Sequence, residues 1–431
     1  MGLGHPRGPE DALLASCLWA SAPRVLKRHP LLPIFLIVVV DVLGLTIILP
    51  LLPFYAQTLG ASATQVGLLI SVYSLCSLFS GPLLGRLSDR VGRKPLLLLS
   101  QVGTLSGFLV LASAQVLWVA FLGRIIDGLT AGNLSLAQAY IADVTEPKNR
   151  SRSFAIIGIA FGFGFLVGPA LSGFLSKYGY HVPILMAAGL SLTSILATAF
   201  FLPAGRPSHQ ADAAPGPGGK RLSLLAWGEY VQYFRRPGLA PLLWQFFCFT
   251  FAFAGFTGGL ALFCERRLLW HGKPFGPEQV GYVFAYAGLL GVILQGGFLG
   301  RLVRRFGETA LVTSGFFTAT LGYALLAATF GIPMLLLAGT VSSFGNGVLR
   351  PTLTSLITQQ VERTEQGVVL GLNQSLLSVA QILGPALAGW LIDHGQLSVW
   401  ALVSGVAAAL GLAINRAVPK PRNATTPGVA P

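Results

Sequence analysis

Long apolar runs recur along the chain, and each is long enough to cross the roughly 30 Å hydrocarbon core of a bilayer as a helix. The first six predicted spans cover 31–55, 65–87, 95–114, 116–142, 153–176 and 181–203. After a more polar stretch, six further spans cover 241–264, 279–300, 309–330, 332–357, 367–391 and 397–416. This pattern predicts an all-α integral membrane protein with twelve spans in two groups of six.

The composition supports a lipid environment. The chain has 431 residues, of which 53% are hydrophobic and 10% charged, whereas soluble domains carry about 25% charged residues. Its four cysteines lack paired spacing, so neither a disulfide framework nor a metal site is predicted.

Two sequence blocks occur twice at nearly one offset. "GPALSGFLSKYG" at 168–179 returns as "GPALAGWLIDHG" at 384–395, and "GRLSDRVGRKPLL" at 85–97 returns, degraded, as "GRLVRRFGETALV" at 300–312. A duplicated six-helix unit explains both, and it predicts two pseudo-symmetric bundles around a central cavity. The predicted parts are a tail at 1–30, a bundle at 31–203, a linker at 204–240, a second bundle at 241–416 and a tail at 417–431.

Basic residues predict the orientation. If both termini are cytoplasmic, the cytoplasmic segments hold 24 of the 29 Lys and Arg residues, with Arg350 counted among them, and the outer segments hold four. Such an excess of Lys and Arg in the cytoplasmic segments is the usual rule for membrane proteins. The net charge of +14 is therefore assigned to membrane orientation, and no nucleic-acid partner is expected.

A charged loop between spans 2 and 3 resembles the signature of the major facilitator superfamily. The resemblance implies the major facilitator fold and a cytoplasmic gate that latches the two halves when the cavity faces outward, with Asp89 as its pivot. Arg304 stands where the second copy would need an acid, so the latch is expected to be asymmetric. The gate residues are Gly85, Asp89, Arg90, Gly92, Arg93, Lys94 and, at the end of span 4, Asp143.

Span 5 resembles the motif of drug–proton antiporters through Gly164, Gly168, Pro169 and Gly173. Small residues at this spacing form a flat helix face, and an internal proline bends the helix. Together with spans 1, 4 and 11, the motif is most similar to the tetracycline-resistance branch of the superfamily. This resemblance implies a bacterial inner membrane, although an organellar membrane of a eukaryote stays an alternative.

Three ionisable residues are predicted to lie well inside apolar helices: Asp41, Arg124 and Asp127. A charge there costs several kcal/mol, so such residues normally face a cavity or a partner. Arg124 and Asp127 are three residues apart on one helix and can pair. We expect Asp41 to bind the coupling proton, Arg124 to tune it and Asp127 to share or relay it, with no other cofactor.

Polar and aromatic residues in several spans are candidates for the substrate cavity. We expect a small-molecule substrate, the lipid bilayer as surroundings and a monomeric protein. The candidates are Asn133, Gln138, Tyr140, Gln245, Phe249, Tyr282, Tyr286, Gln295, Asn373, Gln374 and Gln381.

Several functions compete with proton-coupled efflux of drug-like or amphipathic molecules. Enzymes are disfavoured because no phosphate-binding Gly-Lys loop and no zinc-ligand spacing occur. Proton-coupled uptake of a small polar metabolite, export of a lipid or lipid-linked sugar, and a transport-inactive sensor stay open. The span 5 motif favours export over symport.

Overall fold

The structure, a computed structural model, describes residues 31–145, 150–202, 231–362 and 365–415. The predicted tails at 1–30 and 417–431, and the predicted linker up to residue 230, lie outside the described residues. The exact boundaries of the two predicted bundles therefore stay predictions.

The described chain consists almost entirely of helices. The first half contains α1 (Leu31–Thr58), α2 (Ala63–Val91), α3 (Arg93–Ala112), α4 (Leu117–Leu129), α5 (Asn133–Val144), α6 (Arg150–Leu175) and α7 (His181–Phe201). The second half contains α8 (Ala240–Arg267), α9 (Pro277–Ile293), α10 (Leu299–Phe306), α11 (Glu308–Ala327), α12 (Ile332–Gln359), α13 (Gln366–Asp393) and α14 (Leu397–Asn415). A short antiparallel hairpin, β1 (Leu269–Trp270) and β2 (Lys273–Pro274), follows α8, and a π-helical segment, Leu294–Phe298, joins α9 to α10.

Within the described ranges, eleven helices are long and apolar enough to cross a membrane. The predicted span 4 is the exception, because it is two helices, α4 and α5, instead of one. Glycine is a poor helix former, and Gly132 lies too close to Leu84 and Ser100 to accept a side chain. The single continuous helix expected over 116–142 is therefore corrected.

Two serines add side-chain hydrogen bonds to the backbone at the break in span 4. The Ser80 hydroxyl donates to the carbonyl of Gly128 at 2.7 Å. The Ser100 hydroxyl donates to the carbonyl of Thr130 and accepts from the amide of Gly132 at 2.9 Å. Unpaired backbone groups are costly in a membrane, so these side chains help to support the break.

The repeated blocks at 168–179 and 384–395 pack in equivalent ways within the two halves. Gly168 of α6 packs against Thr46 of α1, and Gly384 of α13 packs against Gly255 of α8. Since α8 follows the repeat offset from α1, both copies attach their helix to the first helix of their own half. This equivalence is what a duplicated six-helix unit predicts.

The same blocks also join the two halves. Pro169 and Gly173 of α6 pack against Gly281 of α9, while Pro385 and Gly389 of α13 pack against Gly67 of α2. Contacts between the halves are concentrated on these two helix pairs, α6 with α9 and α2 with α13. Small residues allow such close backbone approach, and the result is the major facilitator fold.

The halves are closed at one end of the molecule and separated at the other. We call the end with the α1–α2 turn, at Gly60, the outer end, and the end with the α2–α3 turn, at Gly92, the inner end. Toward the outer end, Gln57 donates to Glu265 at 2.9 Å and Thr64 donates to Asp393 at 2.7 Å, both across the halves.

Toward the inner end, positions on three of the helices that join the halves, and on α10 that follows α9, have no close neighbours. No described atom lies within 4 Å of the position of an added side chain at Gly85 of α2, Gly158 of α6, Gly300 of α10 or Gly371 of α13. The central cavity is thus open toward the inner end.

Candidate functional site

The fourth span contains a buried ion pair. The Arg124 guanidinium is 3.0 Å from the Asp127 carboxylate, and each side chain is 7% exposed. The guanidinium also lies over the ring of Tyr73 of α2, 4.4 Å from its centroid. The pairing expected from the spacing of three residues is present in the structure.

Asp41 is half-buried beside this pair and belongs to the same polar cluster, but it has other direct partners. Its carboxylate interacts with the hydroxyl of Ser194 of α7 and the amide of Gln101 of α3, and it lies within electrostatic range of Asp127. Gln101 also donates to Ser194 at 2.8 Å. Among the described residues, the ion pair of Arg124 is with Asp127 and not with Asp41.

The cluster therefore holds two carboxyl groups and one guanidinium inside the N-terminal half. Asp127 is further held by the hydroxyl of Thr104. Sequence reasoning identified the three charged members and missed Tyr73, Gln101, Thr104 and Ser194. Single polar residues in apolar spans were the only signal for them, and that signal does not distinguish these four from other such residues.

The gate residues form a network centred on Arg93. This side chain forms an ion pair of 2.7 Å with Asp89, donates to Asp143 of α5 at 2.9 Å and donates to the Ser88 hydroxyl at 2.5 Å. Gly92 has φ of 105°, a backbone conformation that favours glycine, and it turns the chain from α2 into α3. These bonds all lie within the N-terminal half.

The other gate residues lie around this turn. Lys94 donates to the carbonyl of Ala199 of α7 at 2.8 Å. Arg90 is exposed near the end of α2, and Gly85 faces the open space described above. The gate motif is thus intact, but its described contacts do not reach the C-terminal half.

The second copy of the gate has a reversed charge at its centre. Glu308 stands at the start of α11, as Arg93 stands at the start of α3, and it accepts hydrogen bonds from Ser355 and Gln359 of α12 at 2.6 and 3.0 Å. Arg304 is exposed at the end of α10. The asymmetry that the sequence predicts is visible in these partners.

The span 5 motif lies between α1 and α9. Gly164 packs against Val42, and its carbonyl accepts a hydrogen bond from Thr46 at 2.9 Å. Thr46 lies five residues after Asp41 on α1, so the motif touches both the helix that carries Asp41 and the opposite half.

Four of the candidate cavity residues pack between helices in this conformation. Tyr140, Gln245, Phe249 and Asn373 are at most 5% exposed. Gln245 donates to the carbonyl of Gly411 of α14, and Phe249 stacks on Phe253.

The remaining cavity candidates are at least partly accessible, and their role stays a prediction. Asn133 is the half-buried first residue of α5, and Tyr282 donates to Glu278 at 3.0 Å. Tyr286 is hydrogen-bonded to Thr340 of α12 at 2.7 Å. The exposed candidates are Gln138, Tyr282, Gln295, Gln374 and Gln381.

Arg350 is a fourth ionisable residue inside an apolar helix. It lies nine residues before the end of α12 at Gln359, about 13 Å along the helix axis. Its assignment to a cytoplasmic segment is therefore wrong, and the cytoplasmic total of Lys and Arg falls by one. The predicted span 332–357 already contained this residue, and that was the missed signal.

Among the described residues, no group of three or more His, Cys, Asp or Glu side chains is placed to hold a metal ion.

Comparison with known proteins agrees with this fold. The model of the Major Facilitator Superfamily matches residues 34–331 and 276–430. The class C tetracycline resistance protein of Escherichia coli is 30% identical over 397 residues, which cover 90% of this chain and 95% of that protein. The class G protein of Vibrio anguillarum is 33% identical over 357 residues, covering 81% and 87%.

A solved structure is also similar. The crystal structure of the human organic anion transporter MFSD10 has a TM-score of 0.68 and 25% sequence identity, covering 91% of this chain and 100% of that one. On the family match and these similarities, the chain belongs to the Major Facilitator Superfamily and is a membrane transporter of small molecules, not an enzyme.

Proposed function

We propose that the protein exports drug-like or amphipathic small molecules in exchange for protons. The observation that carries the proposal is the polar cluster of Asp41 and Asp127 with a single guanidinium, that of Arg124. Two carboxylates and one cation leave one negative charge without a counter-charge, which is costly inside a membrane protein. Binding one proton removes that charge, so the cluster is suited to proton uptake.

Proton binding changes which contacts favour each conformation. Asp41 is held by α3 and α7 through Gln101 and Ser194, and Thr46 on the same helix is held by α6. Neutralising Asp41 weakens its hold on α7 and frees α1 to shift against α6, which contacts the opposite half. A proton can thereby bias the equilibrium between the two open states.

The gate network completes this alternating-access cycle. With the cavity open at the inner end, Asp89 pairs with Arg93 within its own half. In the opposite state the inner ends of α2 and α13 approach, and the gate around Asp89 latches them. The outer contacts between α6 and α9 then separate.

The similarity to tetracycline resistance proteins supports efflux as the direction. We place the protein in the inner membrane of a bacterium, as a monomer, with the inner end and both termini in the cytoplasm. The substrate is a small molecule and the proton is the coupling ion.

The test uses everted membrane vesicles that hold an acidic interior. Addition of tetracycline to wild-type vesicles is expected to release protons and dissipate the pH gradient, and a protonophore is expected to abolish substrate accumulation. Asp41→Asn is expected to abolish the exchange while the protein remains in the membrane. The exposed Glu362 provides the control, since Glu362→Gln removes a carboxylate outside the cluster.

Exchange by Asp41→Asn at the wild-type rate would refute coupling through this acid. Acidification that increases on substrate addition would indicate symport in place of antiport.

A further inference from the structure

Arg350 is an isolated cation deep in the protein. It is exposed to solvent, yet it lies in the interior of the protein mass. A side chain with both properties lines an open crevice. A guanidinium facing lipid would cost several kcal/mol, so the central cavity is the environment that fits.

The helix geometry agrees with this placement. The face of α12 that packs on α11 contains Gly345, Val348 and Leu349, which contact Gly315 and neighbouring residues. At about 100° per residue, Arg350 projects from nearly the opposite side of α12. It therefore points away from α11.

Arg350 has no acidic partner within the described ranges 31–145, 150–202, 231–362 and 365–415. The five ion pairs found there are formed by Arg93, which forms two, and by Arg124, Lys177 and Arg236. An accessible guanidinium inside a membrane helix, without a described counter-charge, is suited to bind an anionic group of a ligand. Arginine does so with two parallel hydrogen bonds to a carboxylate or phosphate.

An apolar crevice lies on the same face of α12 as Arg350, between seven and fourteen residues before it. Leu336, Gly339 and Ser343 lie fourteen, eleven and seven residues before Arg350, spacings that keep them on one helix face. These three residues line a small apolar crevice between α12, α8 and α9. Its opposite wall is formed by aromatic and aliphatic side chains such as Phe256, Leu260, Val283 and Tyr286.

The repeat places an accessible residue at the equivalent position of the other half. Ser135 of α5 lies 215 residues before Arg350, the offset of the gate blocks, and it is also exposed. Gln138, three residues further along α5, is exposed as well. The N-terminal half thus presents neutral polar groups where the C-terminal half presents a cation.

We propose that the substrate is an amphipathic organic anion or zwitterion, whose acidic group binds Arg350 and whose apolar body packs against the side chains of α8, α9 and α12 that line the crevice. The inference rests on the proposed transport function and adds the charge and shape of its substrate. A site with one cation and an apolar wall selects ligands by their charge at one end and by the size of their apolar body at the other.

The test measures binding to the purified full chain in phosphatidylcholine nanodiscs, by quenching of tryptophan fluorescence. The probes are 2-naphthoate, 2-naphthylmethanol and 2-naphthylmethylammonium, which share one ring system and differ in charge. Wild type is expected to bind naphthoate at least tenfold more tightly than the ammonium probe. Equal affinities, or tighter binding of the ammonium probe, would overturn the proposal.

Variants separate the two parts of the site. Arg350→Gln is expected to weaken naphthoate binding at least tenfold and to leave naphthylmethanol within twofold. Gly339 has open space around it, so Gly339→Val is expected to weaken both probes alike by filling the crevice. The control is Arg305→Gln, which removes an exposed cation at the end of α10 and should leave all three affinities unchanged.

Arg350→Lys keeps the result decisive if Arg350→Gln does not fold. The lysine keeps the charge without the planar fork, and we expect naphthoate binding to fall three- to tenfold while naphthylmethanol binding stays the same. Unchanged naphthoate binding in whichever Arg350 variant folds would overturn the proposal.

A lipid headgroup carries the same anionic chemistry as an acidic substrate. Nanodiscs with added phosphatidylglycerol distinguish the two sources, because naphthoate affinity should stay within twofold. A loss of naphthoate binding that depends on phosphatidylglycerol would assign the site to lipid and overturn the substrate proposal. Binding needs no proton gradient, so these results are independent of the Asp41→Asn exchange experiment.

Discussion

Lys177 at the end of the α6 segment forms an ion pair of 2.7 Å with Glu278 at the start of α9, and so links the two halves at the outer end. The two side chains are 48% and 25% exposed, and such accessible pairs contribute about 0–1 kcal/mol. The closed outer end therefore depends mainly on the glycine-mediated packing beside this pair.

Gly281→Val is expected to open the outer end. An added Cβ at Gly281 would lie 2.5 Å from the carbonyl oxygen of Pro169 and 3.0 Å from the Cα of Gly173, so α6 and α9 must separate. Spin-label distances between the outer ends of these helices should increase, and transport should fall at least tenfold.

Gly291→Val is the matched control on the same helix, because no described atom lies within 4 Å of its added Cβ. Unchanged outer distances in Gly281→Val would show that this packing does not hold the closed state.

Asp127→Asn is expected to destabilise the N-terminal half strongly. Removing one partner of a buried pair costs about 3–5 kcal/mol, because Arg124 loses the carboxylate it contacts directly while Asp41 remains bonded to Ser194 and Gln101. The loss should appear in the free energy of unfolding in detergent. Arg124→Gln combined with Asp127→Asn should cost clearly less than the sum of the two single changes.

The exposed pair of Lys177 and Glu278 is the control for the buried pair of Arg124 and Asp127. Lys177→Ala should change the free energy of unfolding by no more than about 1 kcal/mol. Additive effects at Arg124 and Asp127 would mean that the pair contributes no coupling energy.

Ser100→Ala is expected to destabilise the break between α4 and α5. Its hydroxyl bonds both the carbonyl of Thr130 and the amide of Gly132. These two groups also bond each other at 2.8 Å, so the expected cost is that of the lost hydrogen bonds, about 0.5–1.5 kcal/mol each. The measurement is the unfolding temperature in detergent. The control is Ser106→Ala on the same helix, whose exposed hydroxyl donates to its own helix at Val102, and an equal drop in both variants would contradict the assignment.

The ion pair of Arg236 and Glu365 is expected to make a small, pH-dependent contribution to the stability of the folded protein. The hydrogen bonds from Arg236, at 2.9 and 2.8 Å, lower the pKa of Glu365 below its ordinary value of 4.5. The ionised carboxylate of Glu365 therefore stabilises the folded protein fully above pH 4.5. This stabilisation is lost as the pH falls through the lowered pKa that Glu365 has in the folded protein. The side chains are 44% and 29% exposed, so screening keeps the contribution at about 1 kcal/mol or less.

Glu365→Gln tests this contribution through unfolding temperatures at pH 7 and pH 3.5. Wild type should be the more stable protein at pH 7, and the difference should shrink at pH 3.5. A difference that is the same at both pH values would show that ionisation of Glu365 does not contribute.

The amino-acid sequence by itself determined the membrane class, the helix count within one break, the repeat and the gate motif. These features depend on local composition and spacing. The bilayer thickness sets the length of each span, and the helix period sets which residues share a helix face. The pairing of Arg124 with Asp127 belongs to this group, because both residues lie on one helix three residues apart. Eleven of the twelve predicted spans followed in the same way.

Only the tertiary structure decided which helix faces meet. The partners of Asp41 come from α3 and α7, about 60 and 150 residues away in the chain, and no local pattern encodes such pairing. The break in span 4 is supported by Ser80 and Ser100, which reach its backbone groups from other helices. The role proposed for Arg350 also depends on the tertiary structure. Its accessible position deep in the protein arises from the arrangement of the surrounding helices and not from its own helix.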